Sequence, residues 1–255
     1  MERLEVIFWD VDGTLAETEE AHRLAFNRAF DTSGMPLHWT QSDYEKLLRV
    51  TGGKERIAAA FLETGMQKQA LPIEQIAETH QLKNSLYAEA VAQGEVQLRP
   101  GVARLIAEAQ AHGIPQIVVT TTSRSNVEAL IRANWSRSPF AEIACAEHAV
   151  RKKPAPDVYF AALQMCGVRA ANAIAIEDSQ NGVQASVSAG IAVLAIPSSY
   201  TKGDDFAGAS AVLASLDQPA FSLSRSPIVD PLRTRVDISW LQSLLAYAHH
   251  PRVTA

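Results

Sequence analysis

The chain has 255 residues, 47% of them hydrophobic, enough for a sizeable core in one large domain or two small ones. Its 28 acidic residues outnumber 23 lysines and arginines, giving a net charge of −5, which argues against a bulk nucleic-acid partner while leaving room for a small anionic ligand held by local cations. No apolar run approaches the length of a membrane span, and the N-terminus MERLEVIFW carries charges within its first five residues and no cleavage-type signal. Cys145 and Cys166 form no CxxC pair and sit in apolar surroundings, as two reduced thiols of a cytoplasmic protein would.

In chain order, LEVIFWD reads as the first strand. PQIVVTTT, EIACAEH, AIAIEDS and IAVLAIP are four more. Between them, 101–113, 125–134, 156–167 and 181–190 repeat apolar residues at helical spacing, and several end at Gly or Asn. Strand alternating with helix predicts an α/β fold, a Rossmann-like parallel sheet with helices on both faces. Residues 17–93 break that rhythm and read as helices only, so they form a helical cap subdomain inserted after the first strand. The core is then 1–16 with 94–216. After Asp217 a Pro- and Ser-rich connection leads to 236-VDISWLQSLLAYAHH-250, a closing amphipathic helix that places Ile238, Leu241, Leu244 and Leu245 on one face for packing on the core.

The stretch 7-IFWDVDGTLAETEEAHR-23 crowds Asp10, Asp12, Glu17, Glu19 and Glu20 behind an apolar run. Like charges this close repel unless a cation neutralises them. Other polar groups follow other strand ends: Thr121, Thr122 and Ser123 the second, Lys153 the third, Glu177 and Asp178 the fourth. Parallel strands deliver their carboxyl ends to one edge, so the four groups converge. Carboxylates from two strands make an all-oxygen site suited to Mg²⁺. Lys153 adds positive charge, the hydroxyls can donate to phosphate oxygens, and Gly13 lets the chain turn beside the acids. This is a site for phosphoryl transfer.

Taken together, DVDGT, TTTS, the KKPAPD lysine and the IEDSQNG acids resemble the four motifs of the haloacid dehalogenase superfamily phosphatases, and the helical insert matches the cap of that superfamily's first subclass. DVDGTLAETEEAHRLAFN, TGGKERIA, TTTSRSNVEAL and RKKPAPDVY look like the CbbY family in particular. That resemblance implies a Mg²⁺-dependent monomeric enzyme of the cytoplasm or a carbon-fixing compartment. It would dephosphorylate xylulose 1,5-bisphosphate, an inhibitory product of Rubisco, to xylulose 5-phosphate. It implies Asp10 as nucleophile and metal ligand, Asp12 as general acid/base with a metal-binding carbonyl, Thr121 on a phosphate oxygen and Lys153 as the neutralising cation. Asp178 would bind the metal, with Glu177 in or just behind its ligand sphere. Glu17, Thr51, Gly52, Gly53 and Lys54 would read the sugar and its distal phosphate, beside Thr122 and Ser123.

Each group has a plainer reading alone. Asp10 and Asp12 are turn acids, Glu177 and Asp178 a helix-start cluster with Ser179 as N-cap, Gly52 a helix stop, His22 a packing or hydrogen-bonding residue, and Trp9 a core residue. Tyr44 and Arg56 fit a cap-pocket lining or a plain helix face. Two other functions share the same side chains: a sugar phosphomutase resembling β-phosphoglucomutase, and a phospho-aspartate switch resembling a response-regulator receiver.

Overall fold

The computed structural model describes residues 3–63, 71–217 and 235–249. Six parallel strands form one sheet in the order β3-β2-β1-β4-β5-β6: β1 Val6–Trp9, β2 Gln116–Val119, β3 Glu142–Ala144, β4 Ala173–Glu177, β5 Ala192–Ala195 and β6 Ala211–Val212. β1, β2, β4 and β5 are buried along their whole length. They therefore read as continuous apolar runs, as strands covered on both faces must. β6 went unread in the sequence, because two residues carry no periodicity.

Successive side chains of each strand face opposite layers. Ile7, Trp9, Val118, Ile174, Ile176 and Leu194 point to one side. There they meet α5 (Val102–Ala111), α6 (Arg124–Asn134) and α9 (Ile238–His249). Val6, Phe8, Ile117, Val119, Ala175 and Val193 point to the other, against α7 (Asp157–Cys166) and α8 (Gln180–Ser188). The expected apolar face of α9 is buried on this core. Most of the connection before it, 218–234, lies outside the described residues. Trp9 is fully buried, its indole N–H donating to Gln116 Oε1 at 3.0 Å.

Between β1 and α5 stand four helices: α1 Glu19–Ser33, α2 Gln41–Leu47, α3 Gly53–Glu63 and α4 Ile73–Ala92. They carry their own aromatic core, in which Phe26, Phe30, Trp39 and Tyr44 pack with Leu47 and Ile57. α1 stops where Gly34 turns left-handed (φ 62°), and α2 starts with a Thr40–Asp43 capping box. Tyr200, from the loop after β5, packs into this aromatic cluster from the sheet side.

Candidate active site

The carboxyl ends of β1, β2 and β4 and the loop after β3 open into one cavity of about 1350 Å³, roofed by α1–α4. Asp10 and Asp12 enter it from β1; Thr121, Thr122 and Ser123 from β2. Lys153 and Asp178 complete the floor, while Thr51, Gly52, Gly53 and Lys54 form part of the opposite wall. Residues far apart in sequence meet here because a parallel sheet sends every strand end to one edge.

Lys153 is the centre of the floor. It is 4% exposed, and its ammonium donates to Asp10 Oδ1 at 2.8 Å, Glu177 Oε1 at 2.6 Å and the Val119 carbonyl at 2.9 Å. Three donors meet three acceptors, so its position is fully determined. Burial pushes the Asp10 carboxyl up to about 8, against the pull of Lys153 and with added repulsion from Glu177. Burial, with repulsion from Asp10, also raises Asp178 well above the usual carboxylate range. The same two partner carboxylates overcome burial and hold Lys153 above its ordinary value.

One lysine does not balance three buried carboxylates. Asp10, Glu177 and Asp178 each offer an oxygen, all within 4.8 Å of one another. Glu177 Oε2 is buried with no hydrogen-bond partner. A hard divalent cation fits this donor set. Gly13 makes the approach possible: its φ of 78° suits glycine, and a Cβ there would collide with the Asp178 carboxylate. Glu177 lies beneath the cavity rather than in its lining, its Oε1 already shared by Lys153 and Tyr159. Its carboxylate therefore buttresses Lys153 more directly than it faces a ligand.

Asp12 belongs to a second network that the sequence did not disclose. Its Oδ1 accepts from the Thr18 hydroxyl at 2.6 Å and lies 3.0 Å from His22 Nε2. Because Thr18 turns its hydroxyl to Asp12, α1 begins without a side-chain cap from that residue. On the other edge of the ring, His22 Nδ1 lies 2.8 Å from Lys83 Nζ. An ammonium can only donate, so Nδ1 accepts, leaving the Nε2 proton for Asp12. Burial and the neighbouring Lys83 lower His22 to about 4, so it is neutral at pH 7. Burial also lowers Lys83, to about 7, although Asp12 opposes the shift. Asp12 is pushed up by burial, but His22, Thr18 and Lys83 together bring it down to about 2. With His22 neutral, the positive charge nearest Asp12 in this network is that of the protonated form of Lys83, on the far side of the imidazole.

Glu17 is not where the sequence reading put it. Its Oε1 pairs with Arg99 Nε at 3.2 Å and its Oε2 accepts from the Ser199 hydroxyl at 2.9 Å. It lines a separate cavity of about 150 Å³ with Thr14 and Arg99. The ion pair with Arg99 holds the carboxylate on that side. Glu19 faces the large cavity instead, accepting from Tyr44 Oη at 2.9 Å, while Arg56 Nη1 donates to the same phenol at 2.9 Å. Burial and nearby Asp12 raise Glu19 to about 7.

The cavity walls are stitched between the helical roof and the sheet. Asn84 donates to Ser123 Oγ at 3.3 Å, and its Oδ1 accepts from Asn126, which also donates to Thr122 Oγ1 at 3.1 Å. Lys152 pairs with Glu55 at 2.7 Å, and Asn181 donates to Thr51 Oγ1 at 3.2 Å. Gly53 opens α3, so the TGGK stretch is the first turn of a helix as well as cavity wall. Arg49, Lys54 and His80 bring positive or neutral nitrogen to that side. Arg124 turns away, donating to the Ile143 carbonyl at 3.1 Å. Lys83 was legible in one respect: His80, Lys83, Asn84 and Tyr87 recur at helical spacing and mark a polar and aromatic face of α4.

A parallel sheet with acids, hydroxyls and a lysine at its carboxyl edge defines a phosphoryl-handling hydrolase. The family model of the haloacid dehalogenase-like hydrolases matches residues 6–196. The chain belongs to that family, and within it to the phosphatases. It is 46% identical over 209 residues to the protein CbbY of Rhodobacter capsulatus, covering 81% of this chain and 91% of the relative. A crystal structure of an Asp-to-Asn variant of CbbY from Rhodobacter sphaeroides, bound to xylulose 1,5-bisphosphate, superposes with a TM-score of 0.77 at 46% identity, covering 83% of this chain and 94% of that one. β-Phosphoglucomutase of Clostridium difficile shares the fold, with a TM-score of 0.72 at 21% identity over 88% of this chain and 95% of that one. Among the described residues no helix is long and apolar enough to cross a membrane.

Proposed function

We propose that this chain is a Mg²⁺-dependent sugar-bisphosphate phosphatase that hydrolyses xylulose 1,5-bisphosphate to xylulose 5-phosphate, and so removes an inhibitor of Rubisco. The observation that carries the reading is the floor of the cavity, where a buried lysine and the carboxylates of Asp10 and Asp178, from two strands, face a space large enough for a sugar bisphosphate, with Glu177 behind them. The substrate follows from the ligand in the CbbY crystal structure and from the extent of the shared sequence.

Asp10 attacks phosphorus, forming an acyl-phosphate bond as the bond to the sugar oxygen breaks. Asp10, the Asp12 carbonyl and Asp178 would hold Mg²⁺, which when bound shields the charge on the phosphoryl oxygens. Lys153 keeps the nucleophile's own charge from repelling the phosphate. Asp12 rests as the anion. An arriving phosphate raises its proton affinity by like-charge repulsion. With that affinity raised, Asp12 takes up one proton from solvent as the substrate enters and then passes it to the leaving sugar oxygen. In the second step it takes a proton from water as that water attacks phosphorus, releasing phosphate and restoring Asp10. Thr121 and its neighbours would hold phosphoryl oxygens, and Lys54 and Arg49 the distal phosphate.

The test is Mg²⁺-dependent phosphate release from xylulose 1,5-bisphosphate and ribulose 1,5-bisphosphate side by side, with Asp10→Asn as the blank. Preference for the xylulose compound supports the reading. Turnover by Asp10→Asn removes the nucleophile assignment. Conversion of a hexose monophosphate that depends on glucose 1,6-bisphosphate, without phosphate release, replaces it with a mutase.

A further inference from the structure

Lys153 lies in the loop that leads into α7, and Tyr159 lies in the first turn of that helix. Tyr159 is fully buried. Its ring packs beside Phe8 at 6.1 Å, which alone is ordinary core packing. Its hydroxyl is not ordinary. It donates at 2.5 Å to Glu177 Oε1, the same oxygen that accepts from Lys153 at 2.6 Å. The ammonium also sits 5.3 Å from the centre of the tyrosine ring.

Among the three acceptors of Lys153, the Val119 carbonyl is fixed by the sheet and Asp10 is the reacting group. Only Glu177 is a long side chain with torsions to spare. Its Oε2 has no hydrogen-bond partner, and its carboxylate is pressed against Gly182 of α8. Tyr159 is thus the one donor besides Lys153 that holds the Glu177 carboxylate among the described residues. Without it, Glu177 and Lys153 form a pair free to shift together, and the ammonium can leave Asp10.

We infer that Tyr159 is a positioning residue of the reaction, acting through Glu177 to hold the Lys153 ammonium against Asp10. This rests on the phosphatase reading for its kinetic consequence, but not for its geometry. Tyr159→Phe keeps the ring, the packing and the cation–π contact, and removes one oxygen. Hydrogen bonds to charged groups are the stronger ones, so kcat is expected to fall about tenfold with KM for the sugar phosphate unchanged.

The experiment pairs those kinetics with NMR of protein labelled with ¹⁵N-lysine. A buried, fully bonded ammonium exchanges its protons slowly, and the Lys153 signal is assigned by its absence in Lys153→Arg. In Tyr159→Phe that signal should exchange at least about tenfold faster. Unchanged exchange together with unchanged kcat overturns the inference. So does a rise in KM at constant kcat, which would mean that the tyrosine shapes the cavity instead. As a second variant, Tyr159→Phe introduced into Glu177→Gln should add nothing further to the loss, and additive losses overturn an action through Glu177. If the unaltered protein releases no phosphate from any sugar phosphate, the phosphatase reading fails, and the exchange rate still decides the role of Tyr159.

Discussion

Gly182 gives a prediction whose sign runs against ordinary helix chemistry. It is the third residue of α8, and its backbone N–H donates to the N-cap Ser179 Oγ at 3.2 Å. In an exposed helix, replacing Gly with Ala stabilises by up to about 1 kcal/mol. Here a Cβ would coincide with the Glu177 carboxylate, and even its farther oxygen, Oε1, would lie 2.7 Å away. The carboxylate cannot retreat cheaply, because Oε1 is held by Lys153 and Tyr159 and the residue is fully buried. If the backbone yields, overpacking costs about 1–3 kcal/mol. If Glu177 yields, a buried ion pair is broken at about 3–5 kcal/mol. Setting off the helix gain, Gly182→Ala should lose at least about 2 kcal/mol if Glu177 moves. It should also lose kcat by about a hundredfold, because displacing Glu177 frees Lys153 from Asp10. Urea unfolding read beside phosphate release measures both. A variant about 1 kcal/mol more stable than the parent, with kcat intact, would refute the claim that α8 is closely fitted over Glu177.

Other outcomes follow from the same geometry. Mg²⁺ at about a hundred times its dissociation constant should raise folding stability by about 2.7 kcal/mol. Thermal melting with and without the ion checks this, and Asp178→Asn should abolish most of the increment. Lys54→Ala should raise KM for a bisphosphate more than for a monophosphate, and equal effects in steady-state kinetics would take Lys54 off the distal phosphate. Glu17→Gln should leave KM within about twofold, because its partners are Arg99 and Ser199, whereas Glu19→Gln should raise it. The reverse ranking would return Glu17 to the substrate.

The floor of the site was legible because its parts obey simple periodicities. VIFW, QIVV and AIAIE are fully buried runs, and each is followed within a few residues by the side chains that act at its end. Once the sheet is parallel, convergence of Asp10, Thr121 and Asp178 needs no further information. Lys153 comes from the 145–156 connection, but that connection is tethered at β3 and α7, so its reach is bounded. The roof obeys no such rule. Glu17 and Glu19 are two residues apart in a turn that leads into a helix, where the direction of a side chain has no period. In the structure Glu17 pairs with Arg99, a residue 82 positions away, while Glu19 faces the cavity.

His22 and Lys83 show the same limit from the other side. They are separated by 61 residues, lie on different helices and meet at 2.8 Å in a buried setting. Each is unremarkable on its own helix. Their meaning comes from the third partner, because burying an ammonium is costly unless a carboxylate such as Asp12 repays the lost hydration. That places Asp12, the proposed acid/base, under the control of the roof. Asp12 takes Thr18 and His22 from α1 and its approach, and reaches α4 through Lys83, so its proton affinity depends on how α1 and α4 sit. Asp10, by contrast, takes its cation from Lys153, which is bonded only to groups of the sheet domain. Asp10, the proposed nucleophile, is therefore organised by the sheet, and Asp12, the proposed acid, by the sheet and the helical insert together. In a phosphatase built this way, the helices over the cavity also set the surroundings of its proposed proton donor.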